Sequence, residues 1–315
     1  MKWMSGVLKA VMVVMSVGAA HAADVPAQGV KAANARSART ISPPIAAAWL
    51  YMSDDQQYAT IPAAWKAINF KNVDVLNVGP AGVQADGTFG LYSSAATGDL
   101  ANRFKWVIQT ARAQNPGIKI IVSQWWGSGK NIWGDPLQVL TDDKAIGKYT
   151  DSVAAFVKSY LGTAGGVDGF DIDYESNNAI PSAPQILSQI RTKLNALSTA
   201  NGGRPFYVTV SPATTAFLGP AAASLDFVNM QTYAGGSGLT PESFTSMGLK
   251  PRQLLYGICP ESNCPTPSVE QAESKFTQYG LAGIHLWRLN SGNSVEEGQD
   301  QALIYGFLHK TPGGK

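Results

Sequence analysis

Four acids crowd one short segment, Val167-Asp168-Gly169-Phe170-Asp171-Ile172-Asp173-Tyr174-Glu175, and Asp171, Asp173 and Glu175 fall at i, i+2 and i+4. The interleaved Phe170, Ile172 and Tyr174 make the segment read as a buried strand. Side chains alternate along a strand, so the three acids face one way, about 6.8 Å from one to the next, while the apolar residues pack on the other side. Like charges this close in a low-dielectric setting cannot all ionise cheaply. At least one carboxyl should keep its proton near neutral pH, and a carboxyl that does so is a general acid.

Other residues with chemical potential are few. Cys259 and Cys264 bracket Pro260-Glu261-Ser262-Asn263 and read as one disulfide that staples a loop. A metal pair is the alternative, but no second cluster of Cys or His lies nearby, so neither a metal nor any other cofactor is expected. Trp125, Trp126 and Trp133 gather in one stretch, where they could stack on pyranose faces along a cleft or serve as loop core.

The elements that must position these groups follow a regular alternation. Short β-rich apolar runs occur at Ile45 to Met52, Val73 to Val78, Ile118 to Gln124, Val167 to Tyr174, Phe206 to Ser211, Leu225 to Tyr233, Leu254 to Ile258 and Gly283 to Trp287. Between them Leu100, Phe104, Val107, Ile108 and Ala111 keep the spacing of one helix face, as do Ile146, Tyr149, Val153, Phe156, Val157 and Tyr160, and then Ile186, Ile190, Leu194 and Leu197. Thr240-Pro241 marks one helix start and Ser294-Val295-Glu296-Glu297 reads as a capping box for the last helix. The weakest helical patterns follow the first and fifth strands. Eight strand-then-helix units, each strand apolar enough to be covered on both sides, predict an α/β fold, a parallel sheet closed into a (β/α)8 TIM barrel. Catalytic groups of such barrels gather at strand C-termini, where Asp173 and Glu175 fall.

The chain has 315 residues, 45% of them hydrophobic and 15% charged, with 8 Trp and 32 Gly, which suits a globular protein with one large core. Residues 1–22 read as a signal peptide: Lys2 and Lys9, the apolar run Val11 to Met15, and the Ala20-His21-Ala22 cleavage site. The apolar run is shorter than the roughly 18 residues a membrane span needs. Residues 23–43 look like a flexible lead-in and 44–311 like a single catalytic domain. The mature chain would be exported, secreted or periplasmic, and a monomer is expected. Removing Lys2 and Lys9 leaves 22 basic against 22 acidic residues. That neutrality argues against nucleic acid or anionic membrane as a partner, and a glycan fits better.

Asp168-Gly169-Phe170-Asp171-Ile172-Asp173-Tyr174-Glu175 resembles the D-G-x-D-x-D-x-E signature of glycoside hydrolase family 18, which holds chitinases and endo-β-N-acetylglucosaminidases. The resemblance runs from Ile45 to about Lys310 through strand order more than residue identity. Asn229-Met230-Gln231-Thr232-Tyr233 resembles the family's M-x-Y or Q-x-Y element, and Gly283-Ile284-His285-Leu286-Trp287 the segment whose Trp floors the sugar subsite before the cleaved bond.

The resemblance implies a division of labour. Glu175 would protonate the glycosidic oxygen and later act as base, while the substrate's own 2-acetamido oxygen attacks and forms an oxazolinium, with retention. Asp173 would orient the acetamido N–H, Asp171 would share a proton with Asp173, Tyr233 would donate to the acetamido oxygen, and Asp168 with Gly169 would anchor the strand. Met230, Gln231 and Trp287 would line the sugar site, and Trp125 and Trp126 join them as candidates from their clustering in one loop.

The sequence departs from the family pattern at Ser123-Gln124-Trp125-Trp126-Gly127-Ser128-Gly129, which only loosely matches S-x-G-G, and at Ala234, where many chitinases carry Asp. Hydrolysis of β-1,4 bonds between N-acetylglucosamine units is the leading expectation. Cleavage of the chitobiose core of N-glycans and a non-catalytic lectin are the alternatives. A glycosidase with a carboxylate nucleophile would need a second acid, for which Glu242 and Glu261 are the loop candidates.

Overall fold

The computed structural model describes residues 41–52, 61–91, 100–125, 139–175, 180–216 and 218–310. Residues 1–22 and nearly all of the lead-in lie outside them, as do Trp126 and Trp133. The strands are β1 (Ile45–Tyr51), β2 (Val75–Val83), β3 (Phe89–Leu91), β4 (Lys119–Gln124), β5 (Gly169–Tyr174), β6 (Tyr207–Pro212), β7 (Phe227–Met230), β8 (Leu254–Ile258) and β9 (Gly283–Leu286). All but β3 are parallel neighbours in chain order, and β9 pairs with β1 through Ile45 opposite Gly283, so the sheet closes into an eight-stranded barrel. The expected (β/α)8 architecture is the observed one. Barrel strands are covered on both faces, which is why they read as continuous apolar runs.

The outer layer is built from α1 (Ala63–Lys66), α2 (Leu100–Gln114), α3 (Asp143–Ser159), α4 (Ala183–Ala200), α5 (Leu218–Ala221), α6 (Pro241–Thr245), α7 (Val269–Tyr279) and α8 (Ser294–Leu308). The 3.6-residue stripes on α2, α3 and α4 are the buried ones. The helices after the first and fifth barrel strands shrink to the four residues of α1 and α5, as their weak periodicity predicts. No helix among the described residues is long and apolar enough to cross a membrane.

Three local readings change. β2 runs on past the expected end at Val78 to Val83, with the Gly79-Pro80 step absorbed as a register shift against β4. The short β3 then pairs antiparallel with the end of β2, and its Phe89 meets Tyr149, Phe156 and Phe170 edge to face. Three residues interrupted by Gly90 carry too little alternation to be seen in sequence. At α8 the cap is Asn293 rather than Ser294, and Glu297 reaches back to the backbone N–H groups of Ser291 (2.8 Å) and Asn293 (3.2 Å).

Candidate active site

β5 enters the barrel through Asp168, whose carboxylate accepts the Ile120 N–H at 2.8 Å and is clamped by Arg112 at 2.5 Å and Arg204 at 2.8 Å. The next residue must be glycine. A Cβ on Gly169 would come 2.4 Å from the Tyr207 carbonyl oxygen, so no side chain lets β5 and β6 approach there. These two residues set the height and tilt of everything beyond them on β5.

The barrel interior changes character along the strands. Near their starts Ile45, Ala47, Val75, Ile121, Tyr207, Phe227 and Leu255 form an apolar plug. Two residues further on, strand periodicity brings Asn77, Ser123, Thr209 and Asn229 to the interior, and Asp171 and His285 hold the same rank after Gly169 and Gly283. This polar tier is fully enclosed.

Asp171 is wholly buried and accepts from three hydroxyls: Ser123 at 2.7 Å, Thr209 at 2.5 Å and Ser211 at 3.1 Å. Burial pushes its carboxyl up to about 6, and the three hydroxyl donors hold that rise in check. The structure therefore gives Asp171 hydroxyl partners on both of its oxygens, Oδ1 and Oδ2.

Asp173, one step higher, is buried and accepts the Gln231 amide at 2.7 Å, while the same nitrogen also donates to the Ser211 carbonyl at 2.8 Å. Glu175 follows at the rim. It is exposed by area, yet the surrounding mouth still desolvates it enough to raise its carboxyl above the ordinary glutamate value, and a hydrogen bond from Gln231 pulls it partly back. One amide thus binds Asp173 and favours the charged form of Glu175.

Tyr233 comes from just beyond β7. Its phenol is buried and pushed far above the ordinary tyrosine value, first by desolvation and then by the charges of Asp173, Glu175, Glu261 and Asp171. It is a neutral donor at any working pH. The ring rests edge-on against His285, with centroids 5.9 Å apart. His285 holds the Met230 carbonyl at 2.9 Å, and burial pushes its pKa down to about 4. Gly257 makes room for this pair: a Cβ there would lie 2.4 Å from the Met230 carbonyl oxygen, 2.6 Å from His285 Nε2 and 2.8 Å from Tyr233 Cε1.

Trp287 follows β9, donates its backbone N–H to the Ile258 carbonyl at 2.9 Å, and its ring packs edge-on with Trp49 at 5.1 Å and tilted on Tyr51 at 6.1 Å. It keeps part of its surface free. Trp125 is partly buried just past β4, with its backbone N–H on the Ala81 carbonyl at 2.8 Å. Met230 is different. Its side chain is fully buried in the core between barrel and helices, so it has no surface to offer a sugar.

The sequence profile of glycosyl hydrolases family 18 matches residues 47–252, which contain Asp168, Asp171, Asp173, Glu175, Gln231 and Tyr233. The chain belongs to glycoside hydrolase family 18. Among solved structures, a chitinase-like agglutinin from Robinia pseudoacacia superposes with a TM-score of 0.65 at 14% identity over 84% of this chain and 100% of that one. A family 18 chitinase from Cycas revoluta in complex with (GlcNAc)3 gives 0.64 at 15% identity, covering 84% and 100%. A family 18 N-acetylglucosaminidase from Paenibacillus barengoltzii gives 0.59 at 13%, covering 83% and 99%. At such identities the likeness shows the shared fold. No curated protein matches by sequence.

For a family 18 chain, several residues around the acids escape a reading of motifs. Thr209 and Ser211 sit two apart on the fifth barrel strand, and this hydroxyl pair at strand period was the available signal for the cradle around Asp171. His285 lies within the Trp287 segment and Arg288 just after it, and neither is assigned a role by the motif. Glu261 is brought to the mouth, close enough for its charge to act on Tyr233, and it pairs with Arg288 at 2.8 Å. Glu242 is not: it lies on α6, outside the barrel, against Tyr279. The Cys259–Cys264 disulfide is formed.

Proposed function

We propose that the protein is a chitinase-type hydrolase that cuts β-1,4 bonds between N-acetylglucosamine residues with help from the substrate's own amide. The observation that carries this reading is the hydrogen bond from Gln231 to Asp173 at the mouth where Glu175 is desolvated and the neutral Tyr233 phenol is buried. It supplies one acid whose carboxyl is raised above the ordinary glutamate value, one carboxylate acceptor and one phenolic donor at a single mouth.

In the reaction Glu175 gives its proton to the glycosidic oxygen as the C1–O bond breaks. The acetamido carbonyl oxygen of the same sugar closes onto C1, forming an oxazolinium. Asp173 accepts the acetamido N–H as positive charge develops, and Tyr233 donates to the acetamido oxygen. Water then gives a proton to the Glu175 carboxylate and attacks C1 from the face the leaving group vacated, so configuration is retained. Asp171 supports the buried end of β5 through its three hydroxyls, one tier below Asp173.

A fluorogenic N-acetylglucosamine oligomer tests the proposal: turnover is expected, and Glu175→Gln should abolish it. Equal hydrolysis of glucose oligomers would remove the acetamido group from the mechanism. Binding of the oligomer without turnover would favour a lectin, a reading supported by the agglutinin on the same fold. Release of glycans from a high-mannose glycoprotein in preference to cleavage of chitin oligomers would move the substrate to N-glycans. Residues 1–22 and the disulfide support export to an oxidising compartment.

A further inference from the structure

β8 lies between β7 and β9 in the sheet, so the loop that leaves β8 must stand between Tyr233 and Trp287. It is tied down on both sides. The Ala234 N–H donates to the Pro265 carbonyl at 2.8 Å and the Trp287 N–H to the Ile258 carbonyl at 2.9 Å. Within the loop the Cys259–Cys264 bridge spans 6.2 Å between Cα atoms, and the Cys259 N–H is held by Thr266 Oγ1 at 2.8 Å. The rigid loop carries Glu261.

Glu261 meets Arg288 Nε at 2.8 Å, and the guanidinium lies 5.2 Å from the Tyr51 ring centre and 5.5 Å from that of Trp287. Both partners stay partly open to solvent. The two terminal amino groups of Arg288 carry no hydrogen bond among the described residues. Four N–H donors are thereby fixed beside an aromatic floor at the mouth that holds Asp173 and Glu175. A planar, weakly hydrated guanidinium suits this place, since it stacks on rings and keeps its two terminal amino groups while its Nε is paired with a carboxylate.

We propose that Arg288 is a sugar-binding residue of this site, donating to hydroxyl oxygens of the N-acetylhexosamine on Trp287, and that Glu261 on its disulfide-closed loop fixes the guanidinium for that purpose. The carboxylate also cancels the guanidinium charge, so the pair selects an uncharged sugar over an anionic one. This rests on the glycan-hydrolase reading above.

Calorimetric titration with the N-acetylglucosamine tetramer, in a Glu175→Gln background that prevents cleavage, tests it. Arg288→Gln should weaken binding roughly tenfold or more, as loss of charge-assisted hydrogen bonds does. Arg288→Lys, which keeps the stem and the charge, should still bind several-fold more weakly than the parent. Glu261→Gln should give a smaller loss, and the double variant should be no weaker than Arg288→Gln alone, because Glu261 acts through Arg288. In the active enzyme the loss should appear in KM more than in kcat. Parent-like affinity in a folded Arg288→Gln or Arg288→Lys protein, or losses that simply add, would overturn the proposal while leaving the hydrolase reading intact. Failure of the parent to bind the tetramer would overturn both.

Discussion

Gln231 Nε2 lies 2.7 Å from an Asp173 carboxylate oxygen, so the end of the sixth barrel strand, β7, reaches across β6 to hold an acid on β5. The same side chain lowers the carboxyl of Glu175, against the burial that raises it. A general acid works only while protonated, so kcat/KM must fall as pH rises through the Glu175 pKa. That alkaline limb is expected above the ordinary glutamate range. Gln231→Leu removes the hydrogen bond that favours the charged form, so the limb should move to still higher pH. A pH–rate profile of both proteins checks this, and a limb that stays put or moves down contradicts the assignment.

Asp173→Asn should lower kcat by about a hundredfold or more with little change in oligomer affinity, because its contact strengthens as charge develops in the transition state. Single-turnover kinetics beside a binding titration separate the two. Equal losses in binding and turnover would make Asp173 a simple binding residue.

Gly257→Ala should act on Tyr233 from behind. Its Cβ would fall 2.8 Å from Tyr233 Cε1 and 2.6 Å from His285 Nε2, so the ring must shift or the strand must give. Overpacking of this kind costs about 1–3 kcal/mol. We expect a lower thermal midpoint and a larger fall in kcat than Gly298→Ala, a helical site where a Cβ meets nothing within 4 Å.

Asp168→Asn should destabilise without touching chemistry. It leaves Arg112 and Arg204 without their shared carboxylate, and because both arginines keep some solvent the cost should fall below the 3–5 kcal/mol seen for fully buried pairs, at about 1–3 kcal/mol. Urea unfolding should show the loss, while kcat at a permissive temperature stays near the parent value.

Two enclosed groups give opposite pH slopes to stability. The Asp171 carboxyl stands at about 6 in the fold against 3.8 in the unfolded chain, so the folded state binds the extra proton and stability falls as pH rises from about 4 to 6. His285 stands at about 4 against 6.5, so the unfolded chain binds the proton first and stability falls as pH drops from about 6.5 to 4. Each contribution is about 3 kcal/mol and the two oppose one another between pH 4 and 6. Asp171→Asn should unmask the histidine. Its urea midpoint should fall more steeply than the parent's as pH is lowered from 6 to 4.

Much of this was legible in the one-dimensional chain. Apolar runs of strand length alternating with 3.6-residue stripes are enough to specify a closed parallel barrel, since strands covered on both faces have few other ways to be buried. The spacing of Asp171, Asp173 and Glu175 assigns them to one side of β5 by strand geometry alone, and the position of Tyr233 and Trp287 at strand ends assigns them to the same mouth. Contacts between strands are another matter. That Thr209 and Ser123 converge on Asp171, that Met230 turns into the core while Gln231 turns inward to the acids, and that Glu261 meets Arg288 depend on the register and closure of the barrel. Period and propensity act over a few neighbouring residues, whereas register is settled by packing among strands dozens of residues apart, and only the tertiary structure decides it.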